Sequence, residues 1–126
     1  MKSARKGALI AVVDDDDSVR ESLPELLRMF GFRARPFASA EAFLQSDALA
    51  DVCCLISDVS MPSMSGPQLQ HEVTRRKLNI PVIFITGRRD PDLRTALLAR
   101  GAVECLFKPF SETALLSALG GALAAA

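Results

Sequence analysis

In the stretch Leu55-Ile56-Ser57-Asp58-Val59-Ser60-Met61-Pro62, an apolar run ends in one carboxylate and a turn. The run begins at residue 52 and is rich in residues that favour a strand. Pro62 and the following Ser65-Gly66-Pro67 predict that the strand ends and a loop follows. Asp58 is therefore expected at the C-terminal end of a buried strand, where open α/β sheets bind ligands. Taken alone, Asp58 fits a loop cap equally well.

Four further apolar runs have strand character, and segments with helical spacing separate them. The predicted strands are residues 8–13, the weaker 32–37, 81–85 and 103–107. Helices are predicted to start at Asp17 or Ser18, at Ser39, at Gly66-Pro67, at Asp90-Pro91 and at Ser111. Ser18 and Glu21 have capping-box spacing, and Pro67 is expected in the first helical position. Pro24 is expected to kink the first helix, and Gly120-Gly121 with the alanine tail are expected to fray.

Strands and helices thus alternate five times along the sequence. This order predicts an α/β fold with a doubly wound, five-stranded parallel sheet and helices on both faces. The uninterrupted apolar runs agree, since strands of such sheets are buried on both sides. Residues 1–126 are predicted to form a single domain, with no linker, repeat or output domain in this chain.

Composition argues against several functional classes. The 15 basic and 15 acidic residues give no net charge, which argues against direct nucleic-acid binding. No stretch approaches the ~20 apolar residues that span a membrane. Cys53, Cys54 and Cys105 lie in apolar runs without metal-ligand spacing, so reduced, buried thiols in a cytoplasmic protein are expected.

The best-defined strands end in residues suited to phosphate chemistry, namely Asp14 with Asp15, Asp58, Thr86 and Lys108. In a parallel sheet these ends lie along one edge, so three carboxylates, a hydroxyl and an ammonium are expected to meet. Crowded carboxylates repel one another unless a cation neutralises them, and Mg²⁺ suits such a site. A carboxylate is the only good nucleophile in the set, and its attack on phosphorus gives an aspartyl phosphate. The residues therefore predict metal-dependent phosphoryl transfer to an aspartate.

Four motifs in this order resemble the receiver domain of bacterial two-component response regulators, and the resemblance covers nearly the whole chain. The similarity is closest to nitrogen-fixation regulators that carry a LuxR-type DNA-binding domain. It implies a flavodoxin-like (βα)5 receiver fold and a phosphorelay role in signal transduction, without turnover as an enzyme. The motifs are Val12-Val13-Asp14-Asp15, Ser57-Asp58-Val59-Ser60-Met61-Pro62-Ser63-Met64-Ser65-Gly66, Pro81-Val82-Ile83-Phe84-Ile85-Thr86-Gly87 and Phe107-Lys108-Pro109-Phe110.

The resemblance also implies a set of site residues. Asp58 would be the phosphoacceptor, which takes the phosphoryl group from a histidine kinase. Mg²⁺ would be bound directly by Asp15 and Asp58, by the backbone carbonyl of Ser60, and through water by Asp14. Among the remaining positions, Thr86 would bond the phosphoryl oxygens, Lys108 would pair with them, and Lys108-Pro109 is where the family often has a cis bond.

One position departs from the family pattern, because Cys105 stands where a Tyr or Phe is usual, three residues before Lys108. In the family that ring turns inward when the threonine, here Thr86, is drawn to the phosphate. A thiol is too small for such a movement, and Phe107 shares its face parity but lies elsewhere along the strand. We expect an output change that is weaker or that passes through the loop at residues 87–90.

The family's output face, formed by the fourth helix, fifth strand and fifth helix, serves homodimerisation or contact with an effector domain. Leu93, Leu97 and the apolar last helix are candidates to supply it, although their plain role is core packing. The alternative function is a phosphate-independent, receiver-like protein-binding module, which the missing aromatic residue leaves open. A phosphatase with an aspartate nucleophile is disfavoured because the length leaves no room for a substrate cap. A flavin-binding relative is disfavoured because no glycine-rich loop follows the first strand.

Overall fold

The computed structural model describes residues 7–124. Five strands alternate with five α-helices, and a short 3₁₀ helix, Asp47–Ala50, precedes the third strand. The elements are β1 Leu9–Val13, α1 Asp17–Met29, β2 Arg33–Phe37, α2 Ala40–Leu44, β3 Val52–Asp58, α3 Gly66–Arg75, β4 Val82–Thr86, α4 Pro91–Ala99, β5 Glu104–Phe107 and α5 Glu112–Ala124. The expected order of elements is confirmed.

All neighbouring strands are parallel, and their order in the sheet is β2-β1-β3-β4-β5. The predicted doubly wound α/β fold is therefore confirmed. The order reverses between β1 and β3, and this is the switch point outside which doubly wound sheets bind ligands. Val13 pairs with Ser57, so the residues that follow β1 lie beside the end of β3.

The sheet separates two hydrophobic cores, and alternate residues of each strand serve opposite faces. In β1, Leu9, Ala11 and Val13 pack with α2, α3 and α4, whereas Ile10 and Val12 pack with α1 and α5. All five residues of β1 are buried. Burial on both faces explains why this strand has an uninterrupted apolar sequence.

The start of α1 differs from the expectation. The N-cap is Asp16, whose backbone is extended and whose carboxylate accepts the amide hydrogen of Ser18. Asp17 and Ser18 already lie in the helix, so Ser18 and Glu21 form no capping box. Asp17 instead occupies the first turn, where a carboxylate suits the helix dipole. The helix also continues through Pro24, whose ring is buried.

Two other helix ends correct the sequence-based expectation. In α3, Ser65 is the N-cap and forms a capping box with Gln68, which places Pro67 second in the helix instead of first. In α5, the helix continues through Gly120-Gly121 to Ala124, so fraying at these residues was wrongly predicted. Burial of Ala122 and Leu123 against the sheet holds this last turn. The start of the chain and the last two alanines lie outside the described residues.

The caps at Ser39, Asp90 and Ser111 are confirmed, and each side-chain oxygen accepts an amide hydrogen of the helix that follows. Cys54 and Cys105 are buried and Cys53 is partly buried; all three are free thiols. No helix within residues 7–124 combines the length and the apolar character needed to cross a membrane.

Candidate functional site

Three carboxylates meet where β1 and β3 end. Asp14 and Asp15 follow β1, and Asp58 is the last residue of β3. Each offers a carboxylate oxygen, and these three oxygens lie within 4.8 Å of one another. Oxygen donors of this kind fit a hard cation such as Mg²⁺, so the residues present are suited to hold one.

Asp14 is fully buried, and hydrogen bonds engage both of its carboxylate oxygens. Oδ1 accepts the amide hydrogen of Asp16 at 2.9 Å, and Oδ2 accepts from Nζ of Lys108 at 3.1 Å. Its own amide donates to the carbonyl of Phe37 at 3.2 Å. A buried carboxylate needs such partners, because desolvation without them is costly. Asp14 is therefore a fixed anionic anchor at the base of the site.

The carboxylate of Asp58 accepts fewer hydrogen bonds than that of Asp14. Its Oδ1 accepts the amide hydrogen of Val59 at 2.9 Å and lies 3.8 Å from Nζ of Lys108. Burial, as the largest cause, and the charges of Asp14 and Asp15 together raise the pKa of Asp58 to about 6, although Lys108 and the Val59 amide oppose the change. A carboxylate that is costly to ionise without a counter-charge favours a bound cation.

Thr86 is the last residue of β4, and Lys108 directly follows β5. The amide of Lys108 donates to the carbonyl of Thr86 at 2.8 Å, and the Lys108–Pro109 peptide bond is cis. The ammonium of Lys108 lies between Asp14 and Asp58. Thr86 is 2% exposed, and its hydroxyl accepts the amide hydrogen of Arg88 at 3.1 Å. Ser60 is exposed in the loop two residues after Asp58.

Cys105 lies in the core between the sheet and α4, and it pairs with Phe84 in the sheet register. Its amide donates to Oε1 of Glu104, which also accepts from Arg94 of α4 at 2.6 Å. Burial and the Glu104 charge raise the pKa of the thiol, although Arg94 opposes this. Phe107 pairs with Thr86 instead. The two positions are thus separate, and an ion pair links β5 to α4.

Two further residues shape this site, and neither role was predicted from the sequence. A Cβ atom on Gly66 would lie 2.3 Å from the carbonyl oxygen of Asp58, so only glycine permits α3 to approach β3 this closely. Nη1 of Arg20 donates to the carbonyl oxygen of Asp14 at 2.9 Å. Gly66 stood in a motif that was recognised for other reasons, whereas the sequence pattern of α1 carried no signal for Arg20.

Comparisons with known proteins agree with this geometry. Residues 10–120 match the response regulator receiver domain family. The chain is 40% identical over 116 residues to the response regulator protein TmoT of Ectopseudomonas mendocina, covering 92% of this chain and 53% of TmoT. It is 39% identical over 114 residues to the transcriptional regulatory protein FixJ of Azorhizobium caulinodans, covering 90% of this chain and 54% of FixJ. The chain thus spans about half the length of these relatives.

Solved structures give the same result. The crystal structure of FixJ-N superposes with a TM-score of 0.83 at 36% identity, covering 98% of this chain and 96% of that one. The response regulator StyR gives a TM-score of 0.84 at 42% identity, covering 93% of this chain and 59% of StyR. With a family match over most of the chain and a shared fold, the chain belongs to the receiver domains of two-component response regulators, and its function is that of a phosphorelay receiver.

Proposed function

We propose that Asp58 is the phosphoacceptor of this receiver and that a histidine kinase is the donor. The observation that carries this assignment is the difference between the two inner carboxylates. Both oxygens of Asp14 are hydrogen-bonded, whereas Asp58 accepts one hydrogen bond, at Oδ1. Among the described residues no buried side-chain oxygen lacks a partner, so Oδ2 of Asp58 is open to solvent and to a donor.

In the proposed transfer, an oxygen of Asp58 attacks phosphorus and the bond from phosphorus to the phosphohistidine nitrogen breaks. Asp15 and Asp58 would hold Mg²⁺ directly with the carbonyl of Ser60, and Asp14 would act through water. Bound Mg²⁺ supplies neutralisation of the phosphoryl charge. Lys108 lies within reach of both carboxylates and would pair with a phosphoryl oxygen. The hydroxyl of Thr86 would bond another oxygen.

The same site would also catalyse hydrolysis of the aspartyl phosphate. Phosphorylation and dephosphorylation would then both act only on this chain's own Asp58. Arg88 is 65% exposed and lies two residues beyond Thr86. Its guanidinium is 3.6 Å from Asp90 and can turn toward the site at little cost, because exposed ion pairs are weak. We propose that the Arg88 side chain shields the phosphoryl group from water.

The proposed output face is formed by α4, β5 and α5. On it, Arg94 and Glu104 form an ion pair, and Leu116 is 39% exposed. Leu97 is 2% exposed and packs in the core, which is the plainer of its two expected roles, so it does not supply this face. The face would serve a homodimer or an effector domain, with residues 1–126 acting as the receiver unit in the cytoplasm and without direct contact to nucleic acid.

Acetyl phosphate labelling, read by intact mass, tests the proposal. Wild type incubated with Mg²⁺ is expected to gain one phosphoryl group, and chelation of the metal is expected to abolish the gain. The Asp58→Asn variant should stay unlabelled, while Asp51→Asn, which changes an exposed carboxylate elsewhere, should label as wild type does. Absence of labelling in wild type under all conditions would favour a phosphate-independent protein-binding module.

A further inference from the structure

Arg20 contacts the turn that carries the acidic pair, although it lies on α1 and outside the residues assigned above. Its Nη1 donates to the carbonyl oxygen of Asp14 at 2.9 Å, and its Nη2 donates to the carboxylate of Asp17. The side chain is 23% exposed, so most of it is shielded from water. One guanidinium therefore joins the end of β1 to the first turn of α1.

This turn has to hold four successive carboxylates, Asp14 to Asp17, which repel one another. Asp16 contributes one hydrogen bond to Oδ1 of Asp14 and caps Ser18 at 2.7 Å. Both bonds join residues that are two positions apart, so they lie within the turn itself. The hydrogen bond from Arg20 reaches further, because it connects the second turn of α1 to the backbone of Asp14.

We propose that Arg20 is a positioning residue for the cation site, which rests on the proposed function. By holding the backbone of Asp14, the guanidinium sets the direction in which the carboxylates of Asp14 and Asp15 point. The planar guanidinium can donate to two acceptors at once in a fixed geometry. A lysine ammonium at this position keeps the charge but cannot reproduce the two-point contact.

Electrostatic repulsion alone predicts that removal of Arg20 changes the Mg²⁺ affinity in the opposite direction. The positively charged guanidinium contacts the backbone of Asp14 and repels an incoming divalent cation, so its removal would strengthen metal binding if only Coulomb interaction mattered. Loss of positioning would weaken metal binding. The sign of the change in Mg²⁺ affinity therefore separates the two effects.

The test measures Mg²⁺ affinity of the unphosphorylated protein by following backbone amide shifts of residues 14–18 and 59. We expect both Arg20→Lys and Arg20→Gln to weaken Mg²⁺ binding roughly 10–100-fold, as loss of an outer partner of a metal site does. The control is Arg75→Gln, which removes an exposed guanidinium that pairs with Glu72 on α3, and its affinity should equal that of wild type. Saturating Mg²⁺ should restore acetyl phosphate labelling of both Arg20 variants.

Tighter Mg²⁺ binding in Arg20→Gln together with unchanged binding in Arg20→Lys would overturn the proposal in favour of a pure charge effect. Equal affinity in all variants, or a labelling defect that persists at saturating Mg²⁺, would also contradict it. Urea unfolding of each variant checks that the fold is intact, and Arg20→Lys retains the charge and helix preference if Arg20→Gln fails to fold. Wild type that binds no Mg²⁺ would overturn the proposed function itself.

Discussion

Replacing Asp58 with asparagine is expected to stabilise the metal-free protein at pH 7. Asparagine has the shape of aspartate and keeps an oxygen that can accept the Val59 amide hydrogen at 2.9 Å. It removes a charge that is poorly solvated and that lies beside Asp14 and Asp15. The weak attraction to Lys108 at 3.8 Å is lost, but Lys108 keeps its bond to Asp14 at 3.1 Å.

The size of the effect follows from the pKa of Asp58, which is 3.8 for a free aspartate and about 6 in the folded protein. At about 1.4 kcal/mol per pH unit, this difference corresponds to an upper limit of about 3 kcal/mol. The folded state binds the Asp58 proton more tightly than the unfolded state, so the stability of wild type falls as pH rises between the two values. The variant lacks this group, and its advantage should be complete above pH 6 and absent below the unfolded pKa.

Urea unfolding at a series of pH values measures the effect. With a slope of about 2 kcal/mol per molar urea, the midpoint of Asp58→Asn should rise by up to about 1.5 M at pH 7. Added Mg²⁺ should shrink the difference, because a ligand that binds the folded wild type stabilises it. The control is Asp51→Asn, which changes an exposed carboxylate and should leave the midpoint unchanged.

Equal midpoints for wild type and Asp58→Asn at pH 7 would show that desolvation of the Asp58 carboxylate does not destabilise the folded protein. A gain that is as large near pH 4 as at pH 7 would refute the assignment of the effect to ionisation of Asp58. In that case a packing change caused by the substitution would be responsible.

The loops and turns around the site can be tested by substitution and by phosphorylation. Gly66→Ala is expected to destabilise the fold by about 1–3 kcal/mol, because the added methyl group meets the backbone oxygen of Asp58 at 2.3 Å. Urea unfolding checks this against Gly120→Ala, whose Cβ has open space, and equal stability of the two variants would contradict it. Arg88→Ala should shorten the lifetime of the aspartyl phosphate, whereas Arg89→Ala should not; a dephosphorylation rate equal to wild type would exclude the shielding role. Phosphorylation should also shift backbone amide resonances of α4 and β5, since the Thr86 hydroxyl accepts from the 87–90 loop and that loop caps α4. Unchanged resonances in α4 and β5 would exclude a signal that passes through the 87–90 loop. The output requires this loop if Cys105 does not act in place of the usual aromatic residue.

Much of the fold was predictable from local sequence. The continuous apolar runs of β1, β3 and β4 predicted strands buried on both faces, and five alternations predicted the parallel sheet. The N-terminal caps of α2, α4 and α5 follow from single residues, because a side-chain oxygen at that position satisfies a nearby amide.

The errors occurred where tertiary contacts override local preference. Two glycines favour fraying of α5, but burial of Ala122 and Leu123 holds the last turn in place. The run of four aspartates offered several cap positions with similar local chemistry. Asp16 is the N-cap, and its amide donates to Oδ1 of the buried Asp14, whose Oδ2 is bonded to Lys108 from a distant part of the chain.

The alternation of strands and helices and the residue types at the strand ends follow from patterns within a few residues, so the amino-acid sequence is enough to predict them. Three-dimensional packing, in contrast, leaves both oxygens of Asp14 hydrogen-bonded and one oxygen of Asp58 open, and it brings Arg20 to the backbone of Asp14. Packing also brings α3 close enough to Asp58 to require Gly66. The Arg20 contact spans six residues, but the bond between Lys108 and Asp14 joins segments 94 residues apart in sequence. Burial then sets the pKa of Asp58 through desolvation and neighbouring charge.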